Sequence, residues 1–197
     1  MINSFDTELE TPELDSLSSL AQHLVYRLPG CDDEMIRLTL REVYRDFCRR
    51  SCCLRVRRWF NDNICRLPVV YGGTILNISE VRDGSHILRP SREYYYSGGM
   101  VEIPKLRDGC VEISWIEIPS LSSEDAPKWL INEYGDALCS GVLGRLYSMT
   151  NKAWSDPQMA VIEGQRYEAV VNQVCAQLYS VDGSGKLGSV YDTSDLI

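Results

Sequence analysis

The spacing of the apolar residues changes twice along this chain, and that change constrains its fold more than any other feature. Between residue 13 and about residue 50, apolar side chains recur every three or four positions, which predicts helices. Near Ser51 the pattern becomes an alternation, as in CLRVRRWF, which is typical of strands. After Pro119 the helical spacing returns and continues to about residue 180. The sequence therefore predicts an α+β protein with helices on both sides of a β-rich stretch.

We expect four segments within this α+β arrangement. Residues 1–50 form an N-terminal arm and the first two helices of a helical core, and 51–120 form an inserted, β-rich domain. Residues 121–180 supply the last two helices, and 181–197 form an extended C-terminal docking arm that is rich in glycine and serine. The predicted fold is an antiparallel bundle of about four helices that carries a small antiparallel β domain and a C-terminal arm.

The third predicted helix contains the run YGDALCSGVLGRLYSM, in which three glycines interrupt a helical pattern. Each glycine costs about 1 kcal/mol relative to alanine in an exposed helix interior. Gly141 and Gly144 face the same way as Ala137, and Gly164 on the next helix offers a matching gap. We therefore predict close helix packing at these four residues, either within one subunit or between neighbouring subunits.

The net charge is −8, but the charges are unevenly distributed. Residues 1–15 carry five acidic residues and no basic one, whereas eight of the sixteen arginines lie between Arg37 and Arg58. On the second predicted helix, arginines recur every four residues and form one stripe, which consists of Arg37, Arg41, Arg45 and Arg49. This stripe is either a solvated helix face or a surface that meets an acidic partner or phosphates, because guanidinium binds carboxylate and phosphate in the same two-pronged way.

An alternative function is a nucleic-acid-binding module. It would use the basic stretch Arg37–Arg58, together with Tyr94–Tyr96 as a platform on which bases stack. Alternatively, such a tyrosine run in a hairpin places part of its side chains in the core and part against another subunit. The uneven charge differs from the broad basic profile of a dedicated nucleic-acid binder.

Eight cysteines are present, yet no CxxC pair occurs and the N-terminus lacks the features of a secretion signal. We therefore expect reduced thiols in a cytosolic environment. The tightest cluster is Cys48, Cys52, Cys53 and Cys65, and its spacing fits no usual zinc knuckle. We predict neither a metal site nor a cofactor, and no apolar run approaches the roughly 20 residues that a membrane span needs.

Catalytic motifs are not evident in the sequence. His23 and His86 are the only histidines, and both are interpreted as structural or exposed. The sequence contains no GxSxG elbow, no HExxH motif and no phosphate-binding glycine loop. We predict that the protein has no catalytic site and is not an enzyme.

The second half of the chain resembles the C-terminal helical part of the head-to-tail adaptor (neck) proteins of tailed bacteriophages. The resemblance lies in a strand that ends near Pro119, the helix start at Pro127, the small-residue helix GDAL…GVLGRLY and the W.DP..A start of the last helix. The first half, LVYRLPGCDDEMIRLTLREVYRDFCRRSCCLR, is similar to the paired helices that such adaptors place before a β insertion. The resemblance covers about residues 45–180.

This resemblance implies a structural virion protein. Family members form a twelve-subunit ring beneath the portal, connect the DNA-filled head to the tail and have no catalytic site. The implied partners are the portal protein, tail or nozzle proteins below the ring and other copies of the chain, with only non-specific contact to DNA in the channel. The implied location is the virion neck, after assembly in the host cytoplasm.

The resemblance also assigns roles to particular residues. The C-terminal arm would dock onto the portal through its apolar anchors, which are Val190, Tyr191, Leu196 and Ile197. The arginine stripe Arg37, Arg41, Arg45 and Arg49 would face either a neighbouring subunit or the genome channel.

Overall fold

The computed structural model describes residues 12–107 and 109–181. Within this part the chain forms four α-helices and three antiparallel sheets, so the predicted α+β class is confirmed. The helices are α1 (Ser18–Arg27), α2 (Asp33–Ser51), α3 (Lys128–Tyr147) and α4 (Pro157–Val181). The strands are β1 (Leu14–Ser16), β2 (Arg55–Phe60), β3 (Ile64–Arg66), β4 (Thr74–Asp83), β5 (His86–Ile87), β6 (Tyr95–Ser97), β7 (Met100–Glu102), β8 (Val111–Ile118) and β9 (Asp125–Pro127).

All four helices contribute to one apolar core. The apolar stripe predicted on α2 is buried, with Ile36, Leu40 and Phe47 each at most 1% exposed. Leu130, Leu138 and other residues of α3 fill the centre of the same core, and α1 and α4 cover its sides. The helices before and after the β-rich stretch therefore fold against each other.

The strands between residues 55 and 118 surround a second apolar core. One sheet has the strand order β2-β8-β4-β5 and a smaller one has the order β3-β7-β6. Trp115, Ile113 and Ile103 are fully buried between these strands. Tyr71 packs against both this core and the helical core, so it lies at the junction of the two.

The third sheet is a pair of three-residue strands that sequence periodicity does not predict. We expected helical structure from residue 13, but Leu14–Ser16 is a strand that pairs antiparallel with β9. Three residues are too few to show an alternating pattern, so no local signal distinguishes them from a helix start. The pairing places the start of the described chain beside Pro127, where α3 begins.

Local sequence accounts for the helix ends. Asp156 Oδ1 accepts hydrogen bonds from the backbone N–H groups of Gln158 and Met159 at 3.1 and 3.0 Å, and Pro157 occupies the first position of α4. At the other end of α2, Cys52 adopts a φ of 53°, a left-handed conformation that ends the helix and directs the chain into β2.

Candidate functional site

The arginine stripe of α2 divides into two inward and two outward members. Arg45 donates a 2.7 Å hydrogen bond to the carbonyl oxygen of Pro119, and Arg41 lies 3.2 Å from Glu34 and 3.6 Å from Glu124. These two side chains hold the segment between β8 and β9 against α2. Arg37 and Arg49 are exposed, and neither has a polar side-chain partner among the residues that the structure describes.

Arg50 is a functional candidate that the four-residue stripe did not include. Its guanidinium binds both carboxylate oxygens of Glu168 on α4, at 2.7 and 2.5 Å, and lies 3.5 Å from Asp46. The hydrogen bond with Glu168 raises the pKa of Arg50 and lowers the pKa of Glu168. The i,i+4 spacing from Asp46 was the sequence signal for this residue. The contact joins α2 to α4 and leaves Arg50 unavailable to a partner.

A shallow recess lies beside the outward part of the stripe. Its volume is about 30 Å³, and Arg37 and Arg41 line it together with Ser16, Ser18 and Glu124. This is room for about one water molecule, so the recess does not accommodate a nucleotide or a metabolite. Any contact made by Arg37 is therefore a surface contact.

The predicted small residues meet atoms of other helices. A Cβ added to Gly144 would lie 3.0 Å from the backbone nitrogen of Gly164, so α3 and α4 approach backbone to backbone at this point. A Cβ on Gly141 would lie 2.7 Å from Val43 on α2, and Ala137 is buried nearby on α3. These contacts are all within one chain. In contrast, a Cβ on Gly164 would have no atom within 4 Å.

The tyrosine run Tyr94–Tyr96 is divided between core and surface. Tyr94 is 7% exposed in the second core, whereas Tyr95 and Tyr96 on β6 are half-exposed. On the β3-β7-β6 sheet, Glu102 lies directly between Ile64 and Tyr95. A carboxylate beside the exposed ring opposes binding of a phosphate backbone there.

The two histidines lie in different surroundings. His86 Nε2 lies 3.1 Å from Glu93, and His23 lies in a groove of about 230 Å³ between α1 and α3. Asp136 and Cys139 also line that groove. Burial, reinforced by Asp136, raises the pKa of the Cys139 thiol to about 11. A thiol that stays protonated at neutral pH is a poor nucleophile.

The cysteines considered as a zinc cluster lie in different cores. Cys48 is buried among the helices and Cys65 among the strands. No group of three or more potential metal ligands occurs in the described ranges 12–107 and 109–181. All eight cysteines are free thiols.

Two buried carboxylates were missed by the sequence analysis. Glu117 is fully buried and accepts hydrogen bonds from the backbone N–H groups of Val70 and Tyr71 and from the Trp115 indole, at 2.8–3.0 Å. Strand alternation places residue 117 on the same face as Trp115, so the sequence pattern alone predicts that Glu117 is buried. The contacts fix the loop before β4 to the end of β8.

The second buried carboxylate, Glu163, lies on α4. Its Oε1 is 2.7 Å from Arg27 of α1 and 3.4 Å from Arg166. Burial raises the pKa of Glu163, but the pairing with Arg27 outweighs this effect and holds the pKa below its ordinary value. The pair joins the first helix of the core to the last. No sequence spacing connects residues 27 and 163, so only the fold reveals it.

The anchors predicted to dock on a portal, Val190, Tyr191, Leu196 and Ile197, lie outside the described residues. In the part of the chain that is described, no helix is both long enough and apolar enough to cross a bilayer. No family model matches this sequence, and no curated protein matches it significantly.

Proposed function

We propose that this protein is a structural adaptor of a tailed-phage neck, which forms a ring beneath the portal and connects the head to the tail. In this proposal the four helices form the body of the adaptor, the strands between residues 51 and 120 form an inserted domain, and 181–197 form a docking arm. The role is structural, requires no cofactor and includes no catalytic step.

The observation that carries the proposal is the shared core of the helices. α2 and α3 are separated by more than seventy residues of strands and loops, yet Val43 contacts Gly141 and the rings of Phe47 and Tyr134 lie 5.2 Å apart. A helical body interrupted by a self-contained β unit is the arrangement that the adaptor resemblance implies. The small-residue run in α3 supports it, because this run lets three helices meet in a thin layer.

The outward arginines are assigned to contacts between subunits or to the channel. Arg37 and Arg49 are the stripe members whose guanidinium groups have no polar partner in the described chain, whereas Arg41 and Arg45 act internally. A channel that passes DNA requires weak contacts, because the genome must slide. Neutralising Arg37 and Arg49 should therefore change assembly or genome retention rather than sequence-specific binding.

Several side chains that the nucleic-acid-binding alternative requires are not available to a ligand in the structure. Arg41, Arg45 and Arg50 bind atoms of the same chain, and Tyr94 is buried. Tight, site-selective binding of duplex DNA by the free protein, with affinity falling steeply as salt rises, would restore this alternative.

The portal contact can be tested on the C-terminal arm. Ordering about fifteen residues costs conformational entropy, so a single arm binds weakly, but a ring presents many arms at once. We expect a chain that ends at Ser180 to fold and yet fail to remain on portal-bearing heads.

A matched pair of full-length variants tests whether docking depends on the anchor side chains or only on the presence of the arm. The first replaces the four anchors Val190, Tyr191, Leu196 and Ile197 by serine, and the second replaces Ser189, Thr193 and Ser194 by alanine. Cosedimentation with portal-bearing heads should be lost in the first and retained in the second. Docking of the truncated chain at the full-length level would exclude the arm as the portal contact.

A further inference from the structure

One edge of the larger sheet is open. β2 lies at the end of the strand order β2-β8-β4-β5, and within residues 12–107 and 109–181 no strand or isolated bridge pairs with its outer side. All six of its residues pair with β8 on the inner side. Alternate backbone N–H and C=O groups along β2 therefore point away from the sheet, and such an edge is a template for another extended segment.

The side chains of β2 limit which segment fits this edge. Arg57 and Trp59 project on one face and are 69% and 59% exposed, while Val56, Arg58 and Phe60 project on the core face. The only acidic partner of Arg57 in the described chain is Glu112, 3.6 Å away. An added strand should therefore present carboxylates beside Arg57 and less polar side chains on the other face.

The N-terminal sequence has this pattern. In FDTELE, Asp6, Glu8 and Glu10 alternate with Phe5, Thr7 and Leu9, so an extended chain would place its three acids on one face. We propose that residues 5–10 of this chain add a strand to the open edge of β2, with the acidic face beside Arg57. The proposal does not depend on the adaptor role.

A series of packed elements leads from the point where this segment joins the described chain to the start of β2. Leu14 lies opposite Pro127, immediately before α3. The first turns of α3 pack on the last turns of α2, where Tyr134 meets Phe47, and α2 leads directly into β2. Residues 5–10 lie four to nine residues before Leu14, so an extended chain reaches roughly 13–30 Å from it.

We infer an antiparallel pairing, which places Glu10 nearest the start of β2. In antiparallel pairs, opposite charges that face each other across strands are stabilising and like charges are destabilising.

Amide hydrogen exchange of the full-length protein tests this proposal at single-residue resolution. The readout is the exchange rate of the β2 amides that β8 leaves unbonded. Leu54 bonds to β8 through its carbonyl, so alternation turns the N–H and C=O of Arg57 outward, toward Glu8 of the added strand. Glu8→Pro removes the N–H that would bond to β2, and Asp192→Pro is the matched control in the C-terminal segment. We expect slow exchange in the wild type, an increase of about tenfold or more in Glu8→Pro, and no change in Asp192→Pro. The amides between β8 and β4 should stay protected in all three proteins, which shows that the sheet is intact.

The other outcomes overturn the proposal. If Asp192→Pro rather than Glu8→Pro exposes β2, the occupant is the C-terminal segment. If the outward amides exchange freely in the wild type, the edge is open and its arginines only guard it against aggregation. A charge swap adds a second test, in which Glu8→Arg and Arg57→Glu each speed the exchange and their combination restores the slow rate; failure of the combination to restore it would contradict the predicted pairing.

Discussion

The helical and β regions of this protein use different means to hold their elements together. Several helices are joined by side-chain ion pairs, such as Arg27–Glu163 between α1 and α4 and Arg50–Glu168 between α2 and α4. Glycines add a close backbone contact between α3 and α4. In the β region the buried carboxylate Glu117 has no cationic partner among the described residues and is held by two backbone amides and an indole instead.

This difference predicts different sensitivities in the two regions. A helical layer with glycine contacts should respond to added volume, because neither backbone can move far without disturbing the whole core. A β region held through its backbone should respond to loss of acceptors and to changes at its turns. The contact between the regions, at residues 117–119, should be sensitive to both.

The largest effect is expected at the junction. A Cβ on Gly73 would lie 1.8 Å from the carbonyl oxygen of Ile118, and a backbone atom cannot rotate away as a side chain can. Gly73→Ala should therefore lower the free energy of unfolding by about 4 kcal/mol or prevent folding. Gly72→Ala is the matched control, since its added Cβ meets no atom and only its φ of 68° is strained, for about 1–2 kcal/mol. Urea denaturation measures both, and equal losses would contradict the predicted clash.

The next largest loss of stability is expected when the buried acceptor Glu117 is removed. Glu117→Leu leaves the buried Trp115 indole and two partly buried backbone amides without their acceptor, and should cost about 3 kcal/mol in the free energy of unfolding. Glu117→Gln keeps one acceptor oxygen and should cost clearly less. If leucine is tolerated as well as glutamine in urea denaturation, backbone anchoring does not hold the β region together.

Adding a methyl group at the α3–α4 contact should lower the free energy of unfolding by a smaller amount. Gly144→Ala presses a methyl group against the backbone of Gly164, and overpacking of this kind costs about 1–3 kcal/mol. Gly164→Ala enters open space and should stabilise the chain by up to about 1 kcal/mol through helix propensity. Thermal unfolding should show the two alanine variants moving in opposite directions. A rise in the melting temperature of both would remove the close-packing argument.

The buried ion pair predicts an acid-dependent loss of stability. The pKa of Glu163 is lowered in the folded chain, so its contribution is fully present above the unfolded-state pKa and is lost as pH falls through the lower, folded-state pKa. The free energy of unfolding of Glu163→Gln should therefore depend less on pH over this acidic range than that of the wild type. Parallel pH profiles for the two proteins would contradict the assigned pairing with Arg27.

The smallest effects distinguish the inward and outward arginines. Arg45→Ala leaves the Pro119 carbonyl without its donor and should cost about 1 kcal/mol, whereas Arg49→Ala should change the free energy of unfolding by less than about 0.5 kcal/mol. The role proposed for Arg49 would appear only in assembly. Denaturation and assembly assays on the same two variants therefore separate internal from external contacts, and a large stability loss in Arg49→Ala would contradict the division.

Much of the fold could be predicted because apolar spacing acts locally. The four helices and the main strands follow from periods of 3.6 and 2 residues. The α3 glycines indicated close contacts with Gly164, which Gly144 makes, but not the contact of Gly141 with Val43. The β1–β9 pair was missed because three residues carry no period. The arginine stripe was visible, but its division was not, because Arg45 meets a carbonyl 74 residues away in sequence. Glu163 and Arg27 were missed for the same reason.

The most direct test of the adaptor proposal is the mass of the full-length protein in solution, alone and after mixing with the portal protein of the same virus. Native mass spectrometry resolves a chain of 22.4 kDa from its multiples. The proposal predicts a ring of about twelve chains, either free or bound to the portal, with the ring lost from the portal when residues 181–197 are removed. A protein that stays monomeric both alone and with the portal protein would contradict the proposal.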